Sequence, residues 1–276
     1  MPKTKIPFTF QGGDQIGSGD FELPESSRPD FHSCFVFAFA KSGSVLVNAI
    51  VQSVMSEYGV PVIDIPTQLY QQGIDIAAIQ CDLSRLFAPR GYCYSGFREL
   101  PRFMLGSASI NSAHKILVVR DPRDMLVSGY YSAKFSHGFA EKGSPPFRRL
   151  MKEIIKDTQM NIDEYCLYYS WMINSQLLSH ADVISDSKTL VLKYEEFLYD
   201  KRRLVRQLCD WLSINLCSER IEAIAAAHDF IPEKERPDQH VRQAHPGDHK
   251  RKLKPETIAA LNAVLGRFFI TFGYDV

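Results

Sequence analysis

A chain of 276 residues, 45% hydrophobic and 23% charged, can bury a sizeable core and has the polarity of an ordinary globular protein. Its 32 Lys and Arg balance 32 Asp and Glu, which excludes a strongly basic nucleic-acid-binding surface, so any anion site must come from local placement. The six cysteines form no C-x-x-C pair and no zinc-like spacing, so the expectation is reduced core thiols and no metal.

Residues 1–30, with glycines at 12, 13, 17 and 19, read as an irregular N-terminal arm ahead of a single domain over 31–276. The basic start lacks the apolar stretch of a signal peptide, and no run approaches the ~18 apolar residues of a spanning helix, which predicts a soluble, cytoplasmic protein. CFVFAFA (34–40) has the continuous apolar character of a strand buried on both faces. It runs into the turn KSGS (41–44), and Val45, Leu46, Ile50, Val51, Val54 and Met55 then give helical spacing up to Gly59 and Pro61.

A second cycle begins at GYCYSGF (91–97). A third strand, KILVVR (115–120), leads into DPRD, where Asp121 can cap and Pro122 suits the first position of a helix running through MLVSGYYSAKF. Residues 138–146 read as a surface loop and a candidate lid. TLVLKY (189–194) is a fourth strand, EEFLYDKRRLVRQLCDWLSI (195–214) one helix, and 232–254 a polar, irregular stretch. The alternation predicts an α/β fold in three layers, with a central, mostly parallel sheet and helices on both faces. Ligands bind such sheets at the carboxyl ends of the strands, and Lys41, Glu99, Arg120 and Tyr194 all lie at or just beyond such ends.

The first turn carries the clearest chemistry. Backbone N–H groups of Ser42, Gly43, Ser44 and Val45 at a helix start favour a phosphate. The hydroxyls of Ser42 and Ser44 add donors, and Lys41 adds a mobile charge. The loop is not G-x-x-x-x-G-K-[ST], because the lysine precedes the glycine and the first glycine is missing. An ordinary strand–helix turn with a solvated lysine explains this segment alone equally well. Arg120 ends a buried strand and suits bidentate phosphate binding. Ser128 follows two helical turns on, so both can face one pocket. The alternative is that Arg120 merely pairs with Asp121 or Asp124.

Together the segments resemble the sulfotransferases that use 3′-phosphoadenosine-5′-phosphosulfate (PAPS). Their P-K-S-G-T-T-W-like loop appears as A-K-S-G-S-V-L, and their V-V-R-N-P-R-D-…-S segment as VVRDPRDMLVS. The strand ending Y-E-D appears as KYEEF, and R-K-G-x-x-G-D-W-K appears as RQAHPGDHK (242–250). The resemblance covers roughly residues 34–255 and implies a P-loop nucleotide-binding-like sulfotransferase fold. It implies sulfuryl transfer from PAPS to an acceptor hydroxyl, leaving adenosine 3′,5′-bisphosphate (PAP).

On that resemblance Lys41, Ser42, Gly43, Ser44 and Val45 hold the 5′-phosphosulfate, and Arg120 and Ser128 hold the 3′-phosphate. Tyr194 lies near the nucleotide, Phe230 in HDF stands where the family stacks adenine, and Arg242, Gln243 and Ala244 complete the phosphate contacts. Lys41 stabilises the charge growing on the bridging oxygen. The base of the family's K-T-H-L-P segment falls on Glu99 in FRELP, with His137 in reserve. The alternative for Glu99 is a salt bridge to Arg98 or Arg102. Glutamate in place of histidine points to a carbohydrate or glycolipid acceptor, or another small molecule. Leu46, Ala40, Gln243, Ala244 and His249 depart from the family pattern, which keeps open a member that binds nucleotide without turnover. A P-loop kinase is a remoter rival, since it would want the other loop and a magnesium-holding aspartate.

Overall fold

The computed structural model describes residues 3–12, 15–74, 76–98, 100–101, 104, 106–136, 159–231 and 244–276. The strands are β1 (Lys3–Gly12), β2 (Gln15–Pro24), β3 (Cys34–Ala38), β4 (Val62–Asp64), β5 (Ile79–Cys81), β6 (Cys93–Phe97), β7 (His114–Val119) and β8 (Thr189–Lys193). They form a five-stranded sheet in the order β4-β6-β3-β7-β8 and a three-stranded sheet in the order β2-β1-β5. Every pairing in the larger sheet is parallel.

The apolar runs are continuous because both faces of this sheet are covered. From β3, Phe35 and Phe37 enter one core cluster, while Cys34, Val36 and Ala38 enter the other. β7 divides in the same way, with Leu117 and Val119 on one side and Ile116 and Val118 on the other. Helix α1 (Ser44–Tyr58) buries Val47, Ile50, Val51, Val54 and Met55 and ends at Gly59 in the left-handed conformation (φ 80°). Each such side chain contributes roughly 1.5–3 kcal/mol on burial.

Short helices α2 (Ile65–Gln71), α3 (Leu83–Leu86) and α4 (Ala108–Ser112) fill the crossovers, and α5 (Pro122–Tyr131) follows β7. Asp121 accepts the Arg123 N–H and Pro122 occupies the first helical turn, as the sequence predicts. A π-helical turn, Ser132–Ser136, extends α5. Then come α6 (Ile162–Ser179), α7 (Ala181–Ser185), α8 (Tyr194–Phe197), α9 (Lys201–Trp211), α10 (Ser218–Ala227), α11 (His249–Lys252), α12 (Pro255–Val264) and α13 (Gly266–Phe272). Apolar residues of α1, α9 and α10 cover one sheet face; those of α5, α6, α12 and α13 cover the other. The predicted three-layer α/β architecture with a parallel central sheet is the architecture observed.

Two expectations are corrected. Within the first thirty residues, 3–12 and 15–24 are not irregular: β1 and β2 form a long antiparallel hairpin whose Ile6, Phe8, Phe21 and Leu23 join the core. Gly17 and Gly19 face Phe10 and Phe8 across the ladder. A Cβ on either glycine would come within 2.7 Å of the opposite ring, so here glycine makes room for aromatic packing instead of a loop. The segment 195–214 is not one helix either. Asp200 accepts the Arg203 N–H and starts α9 afresh after the short α8, because an aspartate at that point caps a new helix better than it continues an old one. The candidate lid at 138–146 lies outside the described residues, as does most of 232–254.

Among the described residues, no helix is long and apolar enough to cross a membrane. All six cysteines are free thiols.

Candidate active site

The sheet order sets the carboxyl ends of β6, β3, β7 and β8 side by side. At the end of β3 the chain turns sharply, with Lys41 at φ 66° and Gly43 at φ 93°. The left-handed conformation costs a non-glycine residue such as Lys41 roughly 1–2 kcal/mol, and the loop's internal bonds hold it there. Ser42 is fully buried, and both its N–H (3.3 Å) and its hydroxyl (2.7 Å) donate to the Phe39 carbonyl. The Ser42 hydroxyl, expected as a ligand donor, here closes the loop from inside. Ser44 is buried as the first residue of α1, and the Val45 side chain points outward, 51% exposed. α1 has no side-chain cap and no acidic residue in its first turn. Its first N–H groups therefore lack intrahelical partners and present the positive end of the helix.

Gly43 is required twice over. Besides its positive φ, a Cβ there would stand 2.6 Å from the Tyr194 ring. Tyr194, at the start of α8, is a plate on which three segments meet. Its ring lies against Gly43, the Arg120 guanidinium sits 4.4 Å from the ring centroid, and its hydroxyl donates to the Ala244 carbonyl at 2.7 Å. Burial pushes the Tyr194 phenol up to about 12, against the Arg120 charge, so the hydroxyl stays a donor.

The two arginines of the β7–α5 turn have different tasks. Arg123 is bound by Asp121, Asn262 and the Asp275 carbonyl and is a structural tie. Arg120 is buried, and its one ion pair among the described residues, with Asp124, is long at 3.6 Å. Its Nε is buried without a partner among the described residues. That pairing is the alternative foreseen for Arg120, yet it leaves Nε without a partner among the described residues, and such a guanidinium nitrogen suits an incoming anion. Ser128 lies half-buried two turns along α5.

Asp124 is a hub that the sequence did not announce. Its carboxylate accepts the Gly247 N–H (2.7 Å), the His249 N–H (2.9 Å) and the His249 Nδ1–H (2.7 Å). Burial alone would raise this carboxyl. The His249 side chain, the Arg120 charge and the His249 amide outweigh it and hold Asp124 down to about 2. The segment carrying Ala244 is thereby fastened beside Arg120.

At the other side of the loop, Gln176 of α6 accepts the Ala40 N–H (3.3 Å) and donates to the Arg98 carbonyl (3.2 Å). Phe230, 69% exposed, follows α10, which the His228–Ser53 contact of 2.9 Å fixes to α1. Of the predicted site residues, Lys41, Gly43, Arg120, Tyr194 and Ala244 converge on this edge, while Glu99, His137, Arg242 and Gln243 lie outside the described residues. Among the described residues there is no group of three His, Cys, Asp or Glu able to hold a metal ion.

Residues 32–267 match a family profile described as a sulfotransferase domain. Over 134 residues the chain is 30% identical to the 3-beta-hydroxysteroid sulfotransferase of Cavia porcellus. The match takes in 48% of this chain and spans only 42% of that curated relative. Among solved structures, mouse sulfotransferase SULT7A1 complexed with PAP superposes with a TM-score of 0.56 at 14% identity, over 86% of this chain and 84% of that one. A retinol dehydratase in complex with androsterone and the inactive cofactor PAP gives a TM-score of 0.51 at 13% identity, over 97% and 90%. At these identities the structural likeness concerns the fold.

Proposed function

From a chain that belongs to the sulfotransferase family, whose members transfer a sulfuryl group, we infer a PAPS-dependent transferase acting on an acceptor hydroxyl. The observation that carries this reading is the meeting of Gly43, Arg120 and Ala244 on the Tyr194 side chain, the first two at its ring and the third at its hydroxyl. It joins the segment suited to a 5′-phosphosulfate to the segments suited to a 3′-phosphate. The donor set fits two anionic groups: the uncapped start of α1 answers one, and the orphaned Arg120 Nε answers the other. The solved relatives named above carry PAP in their own sites, which supports the same nucleotide here.

PAPS supplies the sulfuryl group, whose sulfur gains a bond to the acceptor oxygen as its bond to the 5′-phosphate oxygen breaks. The acceptor proton passes to a base, for which Glu99 remains the proposal and His137 the reserve. Lys41, held at the loop, places a cation where charge builds on the leaving oxygen, and the α1 amides stabilise the same charge without reorganising. Tyr194 and Arg120 keep the far end of the nucleotide fixed, so that positioning does most of the work.

The acceptor reading has two branches. Glutamate at position 99 is the ground for a carbohydrate or glycolipid hydroxyl. The aromatic packing of Tyr130, Tyr165 and Tyr169 between α5 and α6, together with the steroid-sulfating curated relative, supports an apolar alcohol. Transfer of labelled sulfate to a 3β-hydroxysteroid, to retinol and to an N-acetylglucosamine oligosaccharide separates them.

The reading as a whole is tested by thermal shift with PAP, AMP and ATP–magnesium. A ligand at ~100 times its Kd adds ~2.7 kcal/mol, which is several degrees for a domain of this size. Stabilisation by PAP alone supports the reading, and stabilisation by ATP–magnesium alone replaces it with a kinase. PAP binding with no transfer to any acceptor leaves a nucleotide-binding member without turnover.

A further inference from the structure

We propose that Gln176 is a positioning residue, whose side-chain amide sets the lysine loop against the segment that follows β6. The inference rests on the transferase reading above.

β3 and β6 pair in parallel as far as Phe37 and Phe97 and then separate. β3 goes on to the turn at Lys41, and β6 goes on through Arg98 towards position 99. Beyond Phe97 no ladder bond joins the two strands among the described residues, so the spacing of their chemically important continuations needs another device. The Gln176 amide has the donor and acceptor of a peptide group, and it is inserted where the ladder stops. Its Oε1 accepts the Ala40 N–H, one residue before the strained Lys41, and its Nε2 donates to the Arg98 carbonyl. Those partners lie 136 and 78 residues away along the chain.

The clip is itself held. The Gln176 carbonyl accepts the His180 N–H at 3.0 Å and the His180 Nδ1–H at 2.8 Å. The His180 ring stacks on Phe39 at 5.0 Å, and Ile173 and Leu177 are buried on either side of Gln176. The last turn of α6 is therefore fixed to the end of β3 before its glutamine reaches across to β6. None of the four motifs of the family resemblance includes this residue. Loss of the amide leaves Arg120, Tyr194 and the α1 terminus in place, so nucleotide binding survives while the two reacting segments drift apart.

Gln176→Met keeps the length and removes both bonds, and Gln176→Glu keeps the acceptor for Ala40 and removes the donor to Arg98. Turnover is measured with sulfur-35-labelled PAPS, with water as acceptor and with the best of the three alcohols named above. PAP affinity is measured by calorimetry, and deuterium uptake is followed in the peptide containing Ala40. The expected result is a roughly tenfold fall in kcat for both variants, the scale of one or two neutral hydrogen bonds, with the Kd for PAP within about threefold. Uptake at Ala40 rises in Gln176→Met and not in Gln176→Glu. Unchanged kcat in an active wild-type background overturns the inference, and so does a fall in kcat matched by an equal rise in Kd. A wild-type protein that neither binds PAP nor transfers label defeats the transferase reading instead.

Discussion

Lys41 occupies a left-handed backbone position that asparagine or glycine would fill at less cost, and on the proposed reading the cation is what the site gains from that strain. Lys41→Ala is expected to lower kcat by about 10²–10³, the scale of removing one preorganised charge-stabilising donor, with the melting temperature nearly unchanged. Activity within a few-fold of wild type would show that the leaving oxygen is stabilised by the α1 amides alone. Arg120 makes a different prediction, since its guanidinium leans on Tyr194 with one nitrogen unpartnered among the described residues. Arg120→Ala should erase the preference for PAP over AMP in competitive binding while leaving AMP affinity nearly unchanged. A mutant that still prefers PAP would move the 3′-phosphate elsewhere. The placement of both residues at the ends of β3 and β7 was legible in the sequence, because strand ends and helix starts are local features. Asp124 and Gln176 were not, because the groups that give them meaning are 123 and 136 residues away and no periodicity records such a pairing. The Ser42 hydroxyl shows the same limit: a serine at a helix start looks like a ligand donor, and its turn back onto the Phe39 carbonyl is visible only in three dimensions.

At the level of elements, α5 is joined to the chain around α11 through one carboxylate. Asp124 takes three N–H donors from Gly247 and His249 and pairs with Arg120. Asp124→Ala is therefore expected to cost about 3–5 kcal/mol, as when one partner of a buried charge network is removed. Urea unfolding with an unchanged m-value would measure it, and a loss below about 1 kcal/mol would mean that the segment at 244–249 is held by other contacts. The strands and long helices were legible because two-sided burial and helical spacing mark the sequence directly. The hairpin of β1 and β2 was not, since glycine-rich composition reads as loop. Only the cross-strand register shows Phe8 and Phe10 lying over Gly19 and Gly17. The break between α8 and α9 was hidden by a helical pattern that continues across Asp200.

For the whole molecule, the buried ionisable groups set the acid limit. His180 is fully buried, and burial pushes its imidazole from 6.5 down to about 4, although a bond to the Gln176 carbonyl opposes this. The unfolded chain gains that proton near pH 6.5 and the native chain only near pH 4. His180 thus adds nothing to unfolding above pH 6.5 and drains about 3 kcal/mol as the pH falls to 4. Asp124 acts lower, losing its contribution between pH 3.8 and about 2. Denaturant melts at pH 7.5 and pH 4.5 should differ by about 2–3 kcal/mol in the wild type, and by much less in His180→Phe. An equal pH dependence in that variant would place the acid sensitivity in other groups.

The bond between Asp124 and residues 247–249 also bears on biosynthesis. A chain emerging from the ribosome can assemble β3, β6, β7 and β8 once residue 193 is free, well before Gly247 is translated. During that interval Asp124 has Arg120 for its partner and none of its amide donors. Arrival of residues 247–249 supplies those donors, so on the proposed reading the sheet exists before the anion site does. Nascent chains stalled short of residue 244 should resist proteolysis over β3–β8 and yet fail to be retained on immobilised PAP.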